Sequence, residues 1–164
     1  MTSLPLRDAG TDHLLTPQNS ALLIIDYQPV QVTSIASIDR RALVENIVSV
    51  AKTARLYRLP IVLSTVNVKT GRNQPTIPQL SEVLGDIPSY DRTQINAWED
   101  AEFLAAVKAT GRKKLIMTAL WTEACLTFPA LDALRDVDEV FDESHGDPAI
   151  NLPDTHRAAP ARSG

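Results

Sequence analysis

The chain has 164 residues, a net charge of −4 and a hydrophobic fraction of 44%, which together favour one globular domain with a sizeable core. A net negative charge does not favour binding to nucleic acid or to an anionic membrane. No apolar run approaches the ~20 residues that span a bilayer. A single cysteine excludes an internal disulfide. We therefore expect a cytoplasmic protein. We expect no metal and no cofactor, because its histidines are far apart and it has no nucleotide-binding motif.

The first part of the chain predicts an arm followed by a strand, a helix and a second strand. Residues 1–19 contain two prolines and no periodicity, which is typical of an extended arm. Residues 21–25 form a continuous apolar run, as expected of a parallel strand buried on both faces. A helix is predicted from its N-cap Asp39 to about Arg58. Residues 61–66, rich in β-branched side chains, predict the second strand.

Helices and strands continue to alternate along the rest of the chain. The predicted elements are a loop over 67–78, a short helix over 79–84, a brief strand over 89–91, a helix over 100–110, a buried strand over 114–119, a helix over 123–135 and a strand beginning at 137–141. This alternation predicts a three-layer, doubly wound α/β fold with a mostly parallel sheet. We place the domain at residues 20–141 and predict an irregular tail over 142–164, which has three prolines.

The ends of two predicted strands carry chemically useful side chains. Asp26 closes the first strand, and Cys125 lies at the start of the helix that follows the fourth. If these strands are central neighbours, the carboxylate and the thiol meet in one crevice at the point where the strand order reverses. The positive end of the helix would lower the thiol pKa, and Asp26 could accept the thiol proton. Arg92 is a candidate cation to balance the two negative charges.

Each of these residues also has an ordinary structural explanation. A lone cysteine is usually a small buried hydrophobe, and an aspartate at a strand end is often a turn or cap residue. Arg92 alone would be a surface charge, and Trp98 and Trp121 would by default pack in the core or in an interface.

Three segments together resemble a known family. They are Ala-Leu-Leu-Ile-Ile-Asp-Tyr-Gln at 21–28, Arg-Thr-Gln-Ile-Asn-Ala-Trp at 92–98, and 118–133, which contains Thr-Glu-Ala-Cys. From about residue 14 to 136 the chain resembles the isochorismatase-like cysteine hydrolases, which include nicotinamidases and N-carbamoyl amidases. It looks closest to a subgroup that shares the Ile-Asn-Ala-Trp stretch. The resemblance implies a Rossmann-like isochorismatase fold that is short at its C-terminus, because the family usually continues through a full fifth strand, a helix and a sixth strand.

The resemblance also implies an active site. The family has a triad of Asp, Lys and Cys, which corresponds to Asp26, Arg92 and Cys125, so an arginine stands where the family has lysine. Arginine keeps the charge but cannot shuttle a proton. A cis peptide bond is implied between Trp121 and Thr122, where it would aim backbone N–H groups, including that of Cys125, at a developing oxyanion.

We further predict a small, mainly apolar substrate pocket beside Cys125. Its predicted walls are Gln28, Asn96, Trp98, Trp121 and Phe128.

Two functions remain open at this point. The first is a hydrolase that cleaves the C–N bond of a small amide through a Cys125 thioester, and it predicts a lowered thiol pKa and reaction with thiol reagents at neutral pH. The second is a non-catalytic binding or scaffold protein, in which Cys125 is buried and inert. Nicotinamidase is disfavoured because residues 67–78 lack the zinc-binding Asp and His of that enzyme. A third function, an isochorismatase that cleaves a vinyl ether, needs no catalytic cysteine, so the presence of Cys125 argues against it.

The expected partners are a small-molecule substrate and further copies of the chain. The family commonly forms oligomers, and a sheet that lacks its last strand and helices would leave an apolar face and a strand edge to be covered.

Overall fold

The computed structural model describes residues 14–136 and 139–144. Its strands are β1 (Ser20–Ile25), β2 (Ile61–Val66), β3 (Ser89–Arg92), β4 (Lys114–Ala119) and β5 (Glu139–Ser144). Its α-helices are α1 (Pro29–Ser34), α2 (Arg40–Leu56), α3 (Pro78–Leu84), α4 (Ala101–Ala109) and α5 (Thr127–Asp136). A 3₁₀ turn (Ala97–Glu99) precedes α4, and a π-helical turn (Thr122–Leu126) precedes α5.

One parallel sheet contains the five strands in the order β3-β2-β1-β4-β5. Central β1 pairs with β2 on one side, with Leu22 opposite Ile61, and with β4 on the other, with Leu22 opposite Ile116. The chain builds outward from β1 to β3, then returns and builds outward from β4 to β5. The strand order therefore reverses between β1 and β4, and the carboxyl ends of these two strands flank the position where ligands bind in such folds.

The core lies on both faces of the sheet. All six residues of β1 are buried, and alternate side chains point to opposite faces. Leu23 and Ile25 belong to a cluster with the inner sides of α4 and α5, whereas Leu22 and Ile24 belong to a cluster with α2 and α3. The three-layer, doubly wound α/β fold predicted from the sequence is confirmed.

Most predicted elements occur where expected, with three differences. The predicted N-cap of α2 is present, since the Asp39 carboxylate accepts the N–H of Ala42 at 2.9 Å. Helix α1 was not predicted, the predicted helix over 123–135 begins as a π-helical turn, and β5 runs to Ser144, beyond the predicted boundary at Phe141. Most of the predicted arm and tail, residues 1–13 and 145–164, lies outside the described residues. Within the described part of the chain, no helix is long and apolar enough to cross a membrane.

Candidate active site

Asp26 is placed by a sharp change of backbone direction at the end of β1. Its φ of 61° lies in the left-handed region, which few residues other than glycine adopt. Its N–H donates to the carbonyl oxygen of Ser64 at 3.1 Å, and its own carbonyl accepts the N–H of Gln28 at 2.8 Å. The side chain is 1% exposed, so the carboxylate is buried at the carboxyl end of the sheet.

Arg92 reaches Asp26 from the end of β3, crossing above β2. Its Nη1 and Nη2 donate to the two carboxylate oxygens of Asp26, each at 2.7 Å. Nη1 also donates to Ser64 Oγ at 2.9 Å and to the Thr65 carbonyl at 3.1 Å, and Nη2 donates to the Ile95 carbonyl at 3.0 Å. The arginine side chain is fully buried. This paired, forked geometry fixes the orientation of the carboxylate.

Cys125 meets Asp26 from the neighbouring strand. It lies in the π-helical turn that directly follows β4, and the residue is 5% exposed. Its thiol lies close enough to the Asp26 carboxylate to feel its negative charge, and both residues line the same cavity. The structure thus brings Asp26, Arg92 and Cys125 together where the strand order reverses.

The thiol of Cys125 is a weaker acid than the helix position predicted. Its pKa is raised to about 12, with burial as the largest cause, and the nearby Asp26 carboxylate also raises it. The positive charge of Arg92 acts in the opposite direction. The prediction of a lowered pKa is therefore wrong. Because Arg92 already neutralises Asp26, too little positive charge remains to stabilise a thiolate, and the resting group at neutral pH is the protonated thiol.

A cavity of about 340 Å³ lies beside these residues. Asp26 and Cys125 contribute to its wall, together with side chains from α1, the end of β2 and the loops that follow β2, β3 and β4. The remaining lining residues are Val30, Gln31, Val66, Asn67, Arg72, Asn73, Thr93, Ile95, Trp121 and Ala124. The thiol and its carboxylate neighbour therefore face a space that suits a small molecule.

Comparison with known proteins identifies the family. The isochorismatase domain model matches residues 20–138. The chain belongs to the isochorismatase family. A curated relative, the probable hydrolase YcaC of Escherichia coli strain K12, is 35% identical over 128 residues, which cover 77% of this chain and 61% of the relative. The chain therefore spans less than two thirds of the length of that family member.

Two solved structures of isochorismatase-family relatives share the fold. YcaC from Pseudomonas aeruginosa, solved with hexane-2,5-diol and covalent acrylamide, has a TM-score of 0.75 and 34% identity, over 80% of this chain and 65% of that one. The YcaC gene product of Escherichia coli, described as an octameric hydrolase of unknown specificity, has a TM-score of 0.73 and 33% identity, over 86% of this chain and 66% of that one. The resemblance stated from the sequence is confirmed.

The backbone features implied by the family resemblance are not seen at the π-helical turn. No peptide bond among the described residues is cis, so the bond between Trp121 and Thr122 departs from that expectation. The Trp121 carbonyl accepts the N–H of Ala124 at 3.0 Å and that of Cys125 at 2.8 Å. The Cys125 N–H that was expected to face an oxyanion is instead paired within the turn, because Trp121 caps the turn with its carbonyl.

Four predicted pocket residues lie elsewhere in this isochorismatase fold, while Trp121 does line the cavity. Gln28 is buried, and its side chain fastens the loop after β2. Its Nε2 donates to the carbonyls of Val66 at 3.1 Å and Gln74 at 2.6 Å, and its Oε1 accepts the Val66 N–H at 2.9 Å. Its role is to position the loop that forms one wall.

The other three lie around α4 and α5. Asn96 caps the 3₁₀ turn, with Oδ1 accepting the Trp98 N–H at 3.0 Å and Nδ2 donating to Asp132 at 2.7 Å. Trp98 packs edge-on against Phe103, with ring centroids 6.4 Å apart, in the core. Phe128 lies on α5 and is 51% exposed. None of these three side chains lines the cavity.

Several lining residues were missed by the sequence analysis. Asn67 and Thr93 directly follow β2 and β3, and the strand-end rule that found Asp26 could have found them. Val30 and Gln31 are on α1, which carries Pro29 as its first residue and has too few residues to show helical periodicity. No sequence signal separated Arg72 from other loop cations.

Proposed function

We propose that this chain is a hydrolase that cleaves the C–N bond of a small amide through a thioester on Cys125. The observation that supports this most is that Cys125 and the buried Asp26 carboxylate, which Arg92 orients, line the same cavity of about 340 Å³. A nucleophile, a base within reach and an adjacent space for a substrate are the minimum that nucleophilic catalysis requires.

Attack must be coupled to proton transfer, because the resting thiol is protonated. As Sγ of Cys125 forms a bond to the amide carbon, the thiol proton moves to Asp26. The tetrahedral intermediate then collapses, the C–N bond breaks, and Asp26 returns the proton to the departing nitrogen. Water next attacks the thioester and gives a proton to Asp26, the C–S bond breaks, and that proton restores the thiol. The products are a carboxylic acid and ammonia or an amine.

Arg92 is a positioning residue in this scheme. Its guanidinium donates one hydrogen bond to each Asp26 carboxylate oxygen. Because an arginine is always charged, it cannot take part in proton transfer. Each carboxylate oxygen has a further lone pair that can accept the thiol proton. The proton transfers therefore fall on Asp26, and Arg92 keeps the carboxylate oriented while its charge changes.

A release assay tests the hydrolase directly. The purified chain is incubated with a panel of small amides, and ammonia is measured against the Cys125→Ala and Asp26→Asn variants. We expect release by the unmodified chain and loss of it in both variants, with circular dichroism to check that each variant is folded. Release that persists in folded Cys125→Ala would overturn the thioester mechanism.

A second candidate, a non-catalytic binding protein of the same fold, is favoured by the raised pKa of Cys125 and by the pairing of its N–H within the turn. Acrylamide separates the two candidates, since the Pseudomonas aeruginosa relative carries it covalently. We expect an adduct on Cys125 at neutral pH that forms much more slowly in Asp26→Asn. A folded chain that stays unmodified would favour the binding protein.

We also propose that the chain forms a homo-oligomer. The Escherichia coli relative is described as octameric, and large apolar side chains such as Phe128 and Leu131 are exposed on α5. Light scattering on the purified chain tests this, because a well-behaved monomer of 17.9 kDa would contradict it.

A further inference from the structure

Arg72 is a cation at the wall of the cavity that has no partner among residues 14–136 and 139–144. It lies in the loop after β2, is exposed, and lines the same cavity as Asp26 and Cys125. Among the residues that the structure describes, it has neither a hydrogen bond nor an ion pair from its side chain. An arginine that is unpaired at a ligand cavity is available to bind an anion.

Among the ionised residues that line this cavity, Arg72 is the one without a counter-ion in the described part of the chain. Of the lining residues, Asp26, Arg72 and Cys125 are ionisable. The carboxylate of Asp26 is neutralised by the paired contact with Arg92, and Cys125 is a neutral thiol at ordinary pH. Arg72 therefore presents its positive charge to the cavity, where it attracts a negatively charged ligand.

The loop that carries Arg72 is fixed on both sides of this residue. Before it, the N–H groups of Val68 and Lys69 donate to the Asp91 carboxylate at 2.9 and 2.8 Å. After it, the Asn73 N–H donates to the Asn67 carbonyl at 3.0 Å. Because the backbone is held in place before a ligand arrives, less ordering remains to be done on binding.

We propose that Arg72 binds a carboxylate of the substrate, so that the substrate is a small amide that also carries a carboxylate. The assignment of the amide rests on the proposed function, whereas the assignment of the carboxylate rests on Arg72. A planar guanidinium matches a carboxylate with two parallel hydrogen bonds. The apolar wall formed by Val30, Val66 and Ile95 suits a short hydrocarbon link between the two groups.

Binding to a variant that cannot form a thioester tests the proposal without turnover. Succinamate and its neutral analogue succinamide, in which an amide replaces the carboxylate, are titrated calorimetrically into Cys125→Ala. Adding Arg72→Gln should weaken the binding of succinamate by about tenfold, the size expected for loss of a charge-assisted contact. The affinity for succinamide should not change. Arg72→Lys should restore part of the loss, because lysine keeps the charge but not the fork.

Lys69→Gln is the matched control, since Lys69 is a cation of the same loop that does not line this cavity. It should leave both ligands unchanged, and unfolding midpoints show whether each variant is intact. Three results would each overturn the proposal: undetectable binding of succinamate to Cys125→Ala, an unchanged affinity in Arg72→Gln, or an equal loss for succinamide. Failure of the ammonia-release assay with the binding pattern intact would instead remove the hydrolase and keep the carboxylate site.

Discussion

The raised pKa of the buried Cys125 thiol should make the stability of the chain depend on pH. In the folded chain its pKa is raised to about 12, from an ordinary value of 9.0. Above pH 9 the unfolded chain therefore gives up the thiol proton while the folded chain retains it, and stability falls as the pH rises from about 9 to about 12. Cys125→Ser lacks a group that titrates in this range, so the free energy of unfolding of the native chain should decrease relative to that of the variant.

The expected size follows from the two pKa values. A pKa difference of one is worth somewhat over 1 kcal/mol, so the native chain should lose about 1 kcal/mol relative to the variant by pH 10, rising to about 4 kcal/mol by pH 12. All other ionisable groups are common to both proteins, so their contributions cancel in the comparison. Urea unfolding of both proteins at about pH 8, 9 and 10 measures the difference. A difference that is constant over this range would refute the burial of the thiol against Asp26.

Three further predictions concern the contacts around the site. Arg92→Met leaves the buried carboxylate of Asp26 without its counter-ion and should lower the free energy of unfolding by about 3–5 kcal/mol, measured with urea; a loss below about 1 kcal/mol, the range of exposed pairs, would mean that the pair is solvated. Gln28→Ala removes the acceptor of the Val66 N–H, so amide hydrogen exchange at Val66 should become faster. An unchanged exchange rate would mean that the Gln28 side chain does not hold the loop after β2 in place. Asp39→Ala should cost about 1 kcal/mol through loss of the helix cap without changing acrylamide labelling of Cys125, and altered labelling would contradict the independence of α2 and the site.

The central sheet was predictable because burial on both faces leaves a plain sequence signal. The apolar runs at 21–25 and 114–119 predicted β1 and β4 to within a residue. The positions of Asp26 and Cys125 followed from those strand ends and from the rule for the point of reversal. These parts depend on local pattern and on topology, both of which the sequence expresses directly.

The parts that sequence reasoning missed depend on side-chain direction and on charge balance. Asn96 and Trp98 are near Arg92 in sequence, yet their side chains turn toward α4 and α5. The thiol pKa was predicted in the wrong direction because the burial of the thiol, which is the largest cause of the raised pKa, was not weighed against the helix position. The lack of an ion pair at Arg72 within the described residues depends on which anions lie near it in the fold, and no local sequence pattern expresses that.

Mass spectrometry of the chain quenched during turnover tests the central claim most directly. The chain is mixed with an amide that it hydrolyses, stopped with acid within the first turnovers, digested and mapped. If Cys125 is the nucleophile, a peptide containing Cys125 gains the mass of the acyl group, and Cys125→Ala loses both this adduct and ammonia release. Hydrolysis that continues in Cys125→Ala, or an acyl group mapped to another residue, would contradict that role.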